Sequence, residues 1–339
     1  MRKLKTAVIG VGALGRHHLK WLSTLEQSQL VGLFDTDPQR AETYAAEYKV
    51  SAFKSLDDVA NSVDAVSIVT PTTTHFEVAS FFIERGIHCL IEKPITALLE
   101  EGLQLSHLAE KKKVTVTVGQ IERFNPAVRA LADYEMRPSF IEAHRLAAFD
   151  PRGTDVAVVL DLMIHDIDLA LKLVGSQVSD IQAAAVSVIS EQADIANARI
   201  TFENGAVANL TASRISLQAM RKMRIFQQSG YFSLDLSSKQ TDVYRLATHG
   251  GKEEGMRIPF GKSGRDIVYT KRTDTGEDML GAELASFLNA VITGGLPEVS
   301  AADACEALRV ALEVERIGTK AMASMITTGN LSGLHTGGR

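Results

Sequence analysis

Two short stretches of this 339-residue chain carry reactive side chains in apolar company. In the first, Asp161, His165, Asp166 and Asp168 interrupt a run rich in Leu, Ile and Met. At 3.6 residues per turn, Asp161, Ile164, His165, Asp168 and Lys172 fall along one side of a helix, while Asp166 falls among the apolar positions. A lone stripe of this kind usually faces solvent. The sharper reading is a helix edge turned into a cleft, with Asp161 and His165 one turn apart, and Asp166 and Asp168 structural. In the second stretch, Lys93 closes the apolar run 88–92, where an ammonium has to be held and partnered. The bland reading is a lysine fixed by Glu92. An imidazole suits removal of a hydroxyl proton near neutrality, and an ammonium suits hydrogen bonding to the oxygen left behind. Asp161 and His165 lack a third ligand at a metal-binding spacing, so no metal is expected.

These residues need a frame, and the first 120 positions supply one. Gly10, Gly12 and Gly15, with Val11, Ala13 and Leu14 between them, form a GxGxxG between a strand-like run and a helix-like one. The first glycine allows the tight turn and the second lets the backbone approach a pyrophosphate. The third brings helix and strand together, with the helix N-terminus facing the phosphates. Asp35 ends the next apolar run, twenty positions after Gly15, where a carboxylate binds the adenosine ribose and repels a 2′-phosphate. Asp37 follows it rather than a basic clamp, so NAD is expected over NADP. Thr70, Pro71 and His75 follow a third apolar run and are expected to line the cofactor. His75 either reaches the cofactor or caps the next helix. His17 and His18 open the first helix, where a surface position is the commoner outcome and a place for one of them near the cofactor is the alternative.

Apolar runs at 6–10, 30–34, 65–70, 88–92 and 114–119 alternate with helical patterns, which predicts a doubly wound parallel sheet with helices on both faces. From about residue 140 the pattern changes to alternation, with Asn204-Gly205 as a hairpin signal. In the second half of that hairpin Ala206, Ala208, Leu210 and Ala212 share one face, while Val207, Asn209, Thr211 and Ser213 share the other. An α+β domain is predicted, with a largely antiparallel open sheet covered by helices on one face. The mixed second face is expected to pair with another subunit, as a homodimer or homotetramer. The Gly- and charge-rich stretch 248–275 reads as a partly irregular excursion, and a last helix is expected over 301–321. The predicted domains are 1–123 for dinucleotide binding, 124–325 for substrate binding and oligomerisation, and 326–339 as a mobile tail.

The net charge of −5 gives no reason to expect nucleic acid or an anionic membrane as partner. No apolar run approaches the ~20 residues of a membrane helix, and the basic, glycine-broken N-terminus lacks a signal-peptide cleavage site. Only Cys89 and Cys305 occur, far apart and in no ligand pattern, so a reducing cytoplasm is expected.

The Glu92-Lys93-Pro94 triplet and Asp161-x-x-x-His165, in this order behind GxGxxG and Asp35, resemble the glucose–fructose oxidoreductase / inositol dehydrogenase (Gfo/Idh/MocA) family over nearly the whole chain. The resemblance implies an NAD-dependent dehydrogenase acting on a secondary hydroxyl of a sugar. Lys93 and His165 would meet the substrate beside the nicotinamide, either of them as the base, with Asp161 orienting the imidazole or favouring its protonated form and Glu92 on the cofactor side. The glycines common before the DxxxH helix are absent here, which bears on the shape of the pocket. The stretches 121–126 and 160–168 are similar to members acting on nucleotide-linked amino sugars, the UDP-N-acetylglucosamine 3-dehydrogenase group. By that likeness Arg123, Asn125 and Arg152 are substrate-binding candidates, and Arg214 is a further cation for a diphosphate. A free-sugar, polyol or inositol dehydrogenase is the alternative within the family. A non-catalytic NAD sensor or scaffold is the alternative of another class.

Overall fold

The computed structural model describes residues 3–149, 156–247, 254–260, 265–273 and 276–327. Strands β1 (Leu4–Ile9), β2 (Ser28–Phe34), β3 (Ser51–Ala52), β4 (Ala65–Ile68), β5 (His88–Glu92) and β6 (Val116–Gly119) alternate with helices α1 (Gly15–Thr24), α2 (Pro38–Tyr48), α3 (Leu56–Ala60), α4 (His75–Glu84) and α5 (Leu99–Lys112). After the short α6 (Pro126–Arg129) come β7 (Phe140–Leu146), α7 (Ile164–Val174), β8 (Val178–Val186), β9 (Ile195–Phe202) and β10 (Val207–Ser213). The chain continues through β11 (Met220–Gln227), β12 (Gly230–Asp235), β13 (Gln240–Leu246), β14 (Met256–Phe260) and β15 (Arg265–Arg272) to α8 (Met279–Thr293) and α9 (Ala301–Thr327). No described helix is long and apolar enough to cross a membrane.

The chain forms two compact units, one of Met1–Phe124 with Gly276–Leu308 and one of Asn125–Thr275 with Arg309–Arg339. The first is built on a six-stranded sheet in the order β3-β2-β1-β4-β5-β6, parallel throughout. Its strands are near-continuous apolar runs because helices cover both faces. The order reverses between β1 and β4, which places the ligand crevice of such a sheet at the C-terminal ends of these strands.

One part of the expected domain division differs. A continuous second domain over 124–325 is expected, whereas residues 276–308 pack with the first unit. The reason is α8, which buries Leu280, Leu284, Phe287 and Leu288 in one cluster with Leu19, Leu22 and Leu33. Its Gly281 runs so close to the Trp21 ring that a Cβ there would sit 3.0 Å away.

The second unit holds a nine-stranded sheet in the order β14-β15-β13-β12-β11-β7-β10-β9-β8, antiparallel except for β7 beside β10. The Asn204-Gly205 turn joins β9 to β10, with Gly205 at φ 85°, a left-handed conformation that a side chain disfavours. Ala206, Ala208, Leu210 and Ala212 face the core as expected, but Ser213, assigned to the open face, is also buried. Within the excursion expected at 248–275 the described residues form a strand pair, with Ile258 opposite Ile267, and residues 248–253, 261–264 and 274–275 lie outside the described residues. Charged residues there do not signal a loop, because edge strands carry charge to resist pairing with other chains. The last helix continues to Thr327, past the expected end at 321, so Ile326 and Thr327 are helical rather than tail. Residues 328–339 lie outside the described residues.

Between β8 and β9 a single carboxylate organises the chain. Asp194 is fully buried and accepts from the backbone N–H groups of Val188, Ile189 and Ser190 at 2.8, 2.7 and 3.0 Å. It also accepts from the Ser190 hydroxyl at 2.6 Å and from Arg214 Nε at 3.1 Å. Burial by itself raises this carboxyl, but the Ser190 hydroxyl and the three N–H groups outweigh it and hold the group well below the usual range. A folded carboxyl that titrates below its unfolded counterpart stabilises the fold above about pH 4, and that stabilisation is lost as pH falls through the folded value. Asp194→Asn is therefore expected to lower Tm at neutral pH and to flatten its fall in acid. Thermal melts between neutral pH and strong acid check this, and parallel curves for parent and variant would refute it.

Candidate active site

Every glycine of the GxGxxG has a geometric reason. Gly10 has φ 85°, and a Cβ on it would lie 2.6 Å from the Val69 carbonyl oxygen. A Cβ on Gly15 would collide with the Gly10 carbonyl oxygen, so this glycine sets how closely α1 approaches the loop. Around Gly12 the nearest atom is an Arg40 guanidinium nitrogen 3.8 Å from an added Cβ, which leaves the space a pyrophosphate takes. Ala13 and Leu14 form the exposed tip before α1 begins. Asp35 accepts from Val11 N–H at 2.8 Å and from Asp37 N–H at 2.9 Å. That uses two of about four acceptor positions on the carboxylate and leaves the others for ribose hydroxyls.

Arg40 is a neighbour that reading the acids alone overlooks. The first turn of α2, capped by Asp37, brings its guanidinium 3.7 Å from Asp35 and 3.1 Å from Asp37. The backbone N–H of Arg40, with help from its guanidinium and the Gln39 N–H, holds the Asp37 carboxyl below its usual range, although desolvation acts to raise it. The cation is thus matched by two carboxylates.

Lys93 follows β5, and its surroundings are built from buried polar groups. The Glu92 carboxylate accepts from Lys93 N–H at 3.3 Å and covers Gly119, where a Cβ would meet it at 3.0 Å. Its other oxygen lies 3.0 Å from His18 Nε2, off the line of a hydrogen bond. His18 Nδ1 is 2.7 Å from the Ser67 hydroxyl. The surface position expected for the histidine pair holds for His17 but not for His18, which is fully buried. The signal was present in the sequence: Gly15, His18, Leu19 and Leu22 fall at i, i+3, i+4 and i+7 on the buried face of α1.

His75 is also buried. Its Nδ1 lies 3.0 Å from the Pro94 carbonyl oxygen and its Nε2 lies 2.9 Å from the Thr70 carbonyl oxygen. Both ring nitrogens are thus used inside the protein. The ring does not cap α4 in the usual sense, since it faces carbonyl oxygens ahead of the helix rather than helix N–H groups. The Thr74 hydroxyl donates to the Pro71 carbonyl at 2.8 Å and lies 2.9 Å from the Thr70 hydroxyl, from which it can accept.

In the second unit, Asp161 lies in a π-helical turn over Val159–Met163, and His165 lies in the first turn of α7. The 3.6-residue reading therefore needs a correction. With i→i+5 bonding, four residues fall short of a full turn, and such π segments recur at functional sites. Asp161 and His165 are half-buried, whereas Asp166 and Asp168 are buried and do not belong to a solvent-facing stripe. Asp166 takes two hydrogen bonds from Arg145, at 3.0 Å from Nε and 2.8 Å from Nη2, with both side chains buried. This bidentate pair ties the start of α7 to β7. Alternation along β7 puts Arg145 inward with Ile141 and Ala143, so its burial was legible and its partner was not.

Of the substrate-binding candidates, Arg123, Arg214 and Asn125 each make hydrogen bonds within the fold. Arg123 is buried, donates to the Glu298 carbonyl at 2.8 Å and lies 3.8 Å from Asp303. Arg214 serves Asp194 and the Ala193 carbonyl. Asn125 caps α6 by accepting from Ala127 N–H at 3.0 Å and donates to the Leu236 carbonyl at 2.9 Å, so both ends of its amide are engaged. Arg152 lies outside the described residues.

Comparison with known proteins places the chain in a family. The family model described as an oxidoreductase family with an NAD-binding Rossmann fold matches residues 4–120, and that of the GFO/IDH/MocA C-terminal domain matches residues 128–233. UDP-N-acetylglucosamine 3-dehydrogenase from Acidithiobacillus ferrooxidans is 42% identical over 292 residues, covering 86% of this chain and 90% of the relative. A solved structure of that protein superposes with a TM-score of 0.86 at 37% identity, covering 95% of this chain and all of the other. A scyllo-inositol 2-dehydrogenase (NAD(+)) from Bacillus subtilis is 29% identical over 235 residues, 63% of this chain and 68% of the relative.

The Arg145–Asp166 pair generates a stability test. Arg145→Met leaves a buried carboxylate uncompensated and should cost about 3–5 kcal/mol in urea unfolding. Replacing both partners, as Arg145→Met with Asp166→Leu, should recover much of that loss, because the desolvation of two charges disappears with them. A double variant as unstable as the single one would show that the pair is not the source of the effect.

Proposed function

Because the chain belongs to the Gfo/Idh/MocA oxidoreductase family, with an NAD-binding Rossmann domain, we propose that it oxidises the 3-hydroxyl of a UDP-linked N-acetylamino sugar to a ketone. The observation that carries this reading is the 42% identity to a UDP-N-acetylglucosamine 3-dehydrogenase along 86% of the chain. Supporting it, Lys93, Asp161 and His165 are all present at the positions that the family pattern calls for.

Bound NAD supplies the acceptor for the hydride that leaves the sugar carbon. The chain's own residues supply the rest. Gly10, Gly12 and Gly15 let the backbone and the start of α1 meet the pyrophosphate, and Asp35 takes the adenosine ribose. Thr70 and Pro71 line the crevice farther along the same sheet edge. His165 takes the hydroxyl proton, and Asp161 orients its imidazole or favours the protonated ring. Lys93 donates a hydrogen bond to the same oxygen, stabilising negative charge as the C–H bond breaks. A reducing, cytoplasmic setting belongs to this reading, since Cys89 and Cys305 are both free and buried. Burial pushes the Cys305 thiol up to about 11, away from reactivity.

The reading is tested with NADH formation across UDP-N-acetylglucosamine, free sugars and inositols. UDP-N-acetylglucosamine should be the preferred substrate, and inositol turnover without UDP-sugar turnover would transfer the protein to the inositol branch. Lys93→Ala and His165→Ala should each bind NAD nearly as the parent does yet lose turnover by ~100- to 10,000-fold. The double variant should lose less than the product of the two, because both groups serve one oxygen. Full turnover in His165→Ala would remove it from the mechanism.

Self-association through the open face of the second sheet completes the proposal. Phe140, Phe226, Tyr231, Tyr244 and Tyr269 stand on neighbouring strands in register, with successive ring centroids 5.8, 4.8, 5.5 and 5.1 Å apart. An aromatic row of this kind is typical of the apolar centre of an interface. Light scattering at micromolar concentration should give a dimer or tetramer, and Tyr231→Glu with Tyr244→Glu should give a folded monomer. A monomeric parent would overturn this.

A further inference from the structure

His75 is 1% exposed and stands between two loops that leave the C-terminal edge of the first sheet. Its Nε2 lies 2.9 Å from the carbonyl oxygen of Thr70, which follows β4. Its Nδ1 lies 3.0 Å from the carbonyl oxygen of Pro94, directly behind Lys93 and following β5. The two strands are parallel neighbours with Ile68 opposite Ile91, so the loops emerge side by side and one imidazole spans them.

Carbonyl oxygens only accept hydrogen bonds. A ring with both nitrogens protonated donates to both carbonyls, whereas a neutral ring donates to one and turns a lone pair toward the other. A buried carbonyl left without a donor is costly, so the loops are held in register by what the ring can satisfy. Neither nitrogen is left for a substrate proton, which removes His75 from acid–base chemistry. The link also reaches the glycine loop, since the Thr70 methyl lies 3.1 Å from where a Cβ on Gly10 would stand.

We propose that His75 is a positioning residue for hydride transfer. Through one ring it fixes the Thr70 loop, on the cofactor side, relative to the Lys93–Pro94 turn, on the substrate side. This rests on the reading of Lys93 as the group that meets the reacting oxygen and of Thr70 as part of the cofactor crevice. The two halves of the link have separable consequences. Loosening the Thr70 half displaces the cofactor wall, and loosening the Pro94 half displaces the lysine backbone. A displacement of about 1 Å at a reacting group costs on the order of 100-fold in rate.

The two side-chain amides separate these halves. The amide nitrogen of asparagine falls near the Nδ1 position of histidine, and that of glutamine falls near Nε2. His75→Asn therefore keeps a donor for Pro94 and loses the one for Thr70, and His75→Gln does the reverse. In the full-length protein His75→Asn should raise KM for NAD by about 10-fold while kcat stays near that of the parent. His75→Gln should keep KM for NAD and lose about 10- to 100-fold in kcat. The assay uses UDP-N-acetylglucosamine, or whichever sugar or inositol the substrate panel selects.

A second measurement needs no turnover. The rate at which an amine-reactive ester labels Lys93, followed by peptide mass spectrometry, should change in His75→Gln and stay at the parental value in His75→Asn. Lys93→Ala separates the two readings. If it keeps full turnover, the role of Lys93 is wrong, whatever the labelling shows. If it loses turnover while both His75 variants keep parental kcat, KM and labelling, the positioning role is wrong. Parallel changes in kcat and KM that track a fall in Tm in both variants would also overturn it, since a purely structural ring predicts that pattern. Should one variant fail to fold, the other still decides through its own kcat, KM and labelling rate.

Discussion

The first unit depends on one constraint: parallel strands in register end in a common row. Ile9 stands opposite Phe34 and Ile68, Ile68 opposite Ile91, and Glu92 opposite Gly119. The next residues of these strands are therefore delivered to one edge. Gly10, Asp35, Val69 and Lys93 are far apart in sequence and become neighbours without any loop having to carry them there. The sheet's hydrogen bonds hold the edge rigid, and rigidity at the sub-ångström level is what catalytic geometry requires.

A strand edge fixes backbone positions, but the loops beyond it need their own ties. Here the ties are buried polar groups. His75 joins two loop carbonyls, and the Glu92 carboxylate sits between Lys93 N–H and His18. Asp35 holds the glycine loop through Val11 N–H. In the second unit Arg145 grips Asp166, and Asp194 gathers three backbone N–H groups with Arg214. Such groups contribute little net stability against well-packed apolar residues, because desolvation offsets most of the attraction. Their directionality is what distinguishes them. An apolar contact tolerates sliding, whereas a bidentate pair or a doubly engaged imidazole accepts one arrangement.

The open face of the second sheet obeys a different rule. Its buried face is small-sided around β7, β9 and β10, where Ala143, Ala196, Ala198, Ala208 and Ala212 leave room for close approach, and large on β11 and β12, where Met223, Ile225, Phe232 and Leu234 are buried. The opposite face carries the aromatic row from Phe140 to Tyr269. Each ring covers part of its neighbour, so the row is only partly exposed, and a partner surface would complete a burial that the single chain begins.

The elements and their chemistry follow from local residue pattern. Apolar runs with interleaved helical periodicity specify the parallel sheet, because a strand buried on both faces leaves no other pattern. GxGxxG with Asp35 specifies the dinucleotide loop, because only glycine tolerates the φ of Gly10 and the approach at Gly15. The Lys93 and Asp161-x-x-x-His165 signatures were legible as residue types at the ends of such elements. Tertiary structure decided which polar groups are occupied. Arg123, Asn125 and Arg214 are substrate-binding candidates by residue type, and the hydrogen bonds each makes within the fold are visible only in three dimensions. His18 and Arg145 sit on faces that periodicity marks as buried, yet their partners lie 74 and 21 residues away, and no local pattern encodes those pairings. The fate of α8 was equally hidden, since its apolar face fits any core and only three-dimensional packing joins it to Trp21. Local sequence sets what a segment can form and which side it buries, whereas partner choice depends on long-range geometry that exists only once the chain has folded.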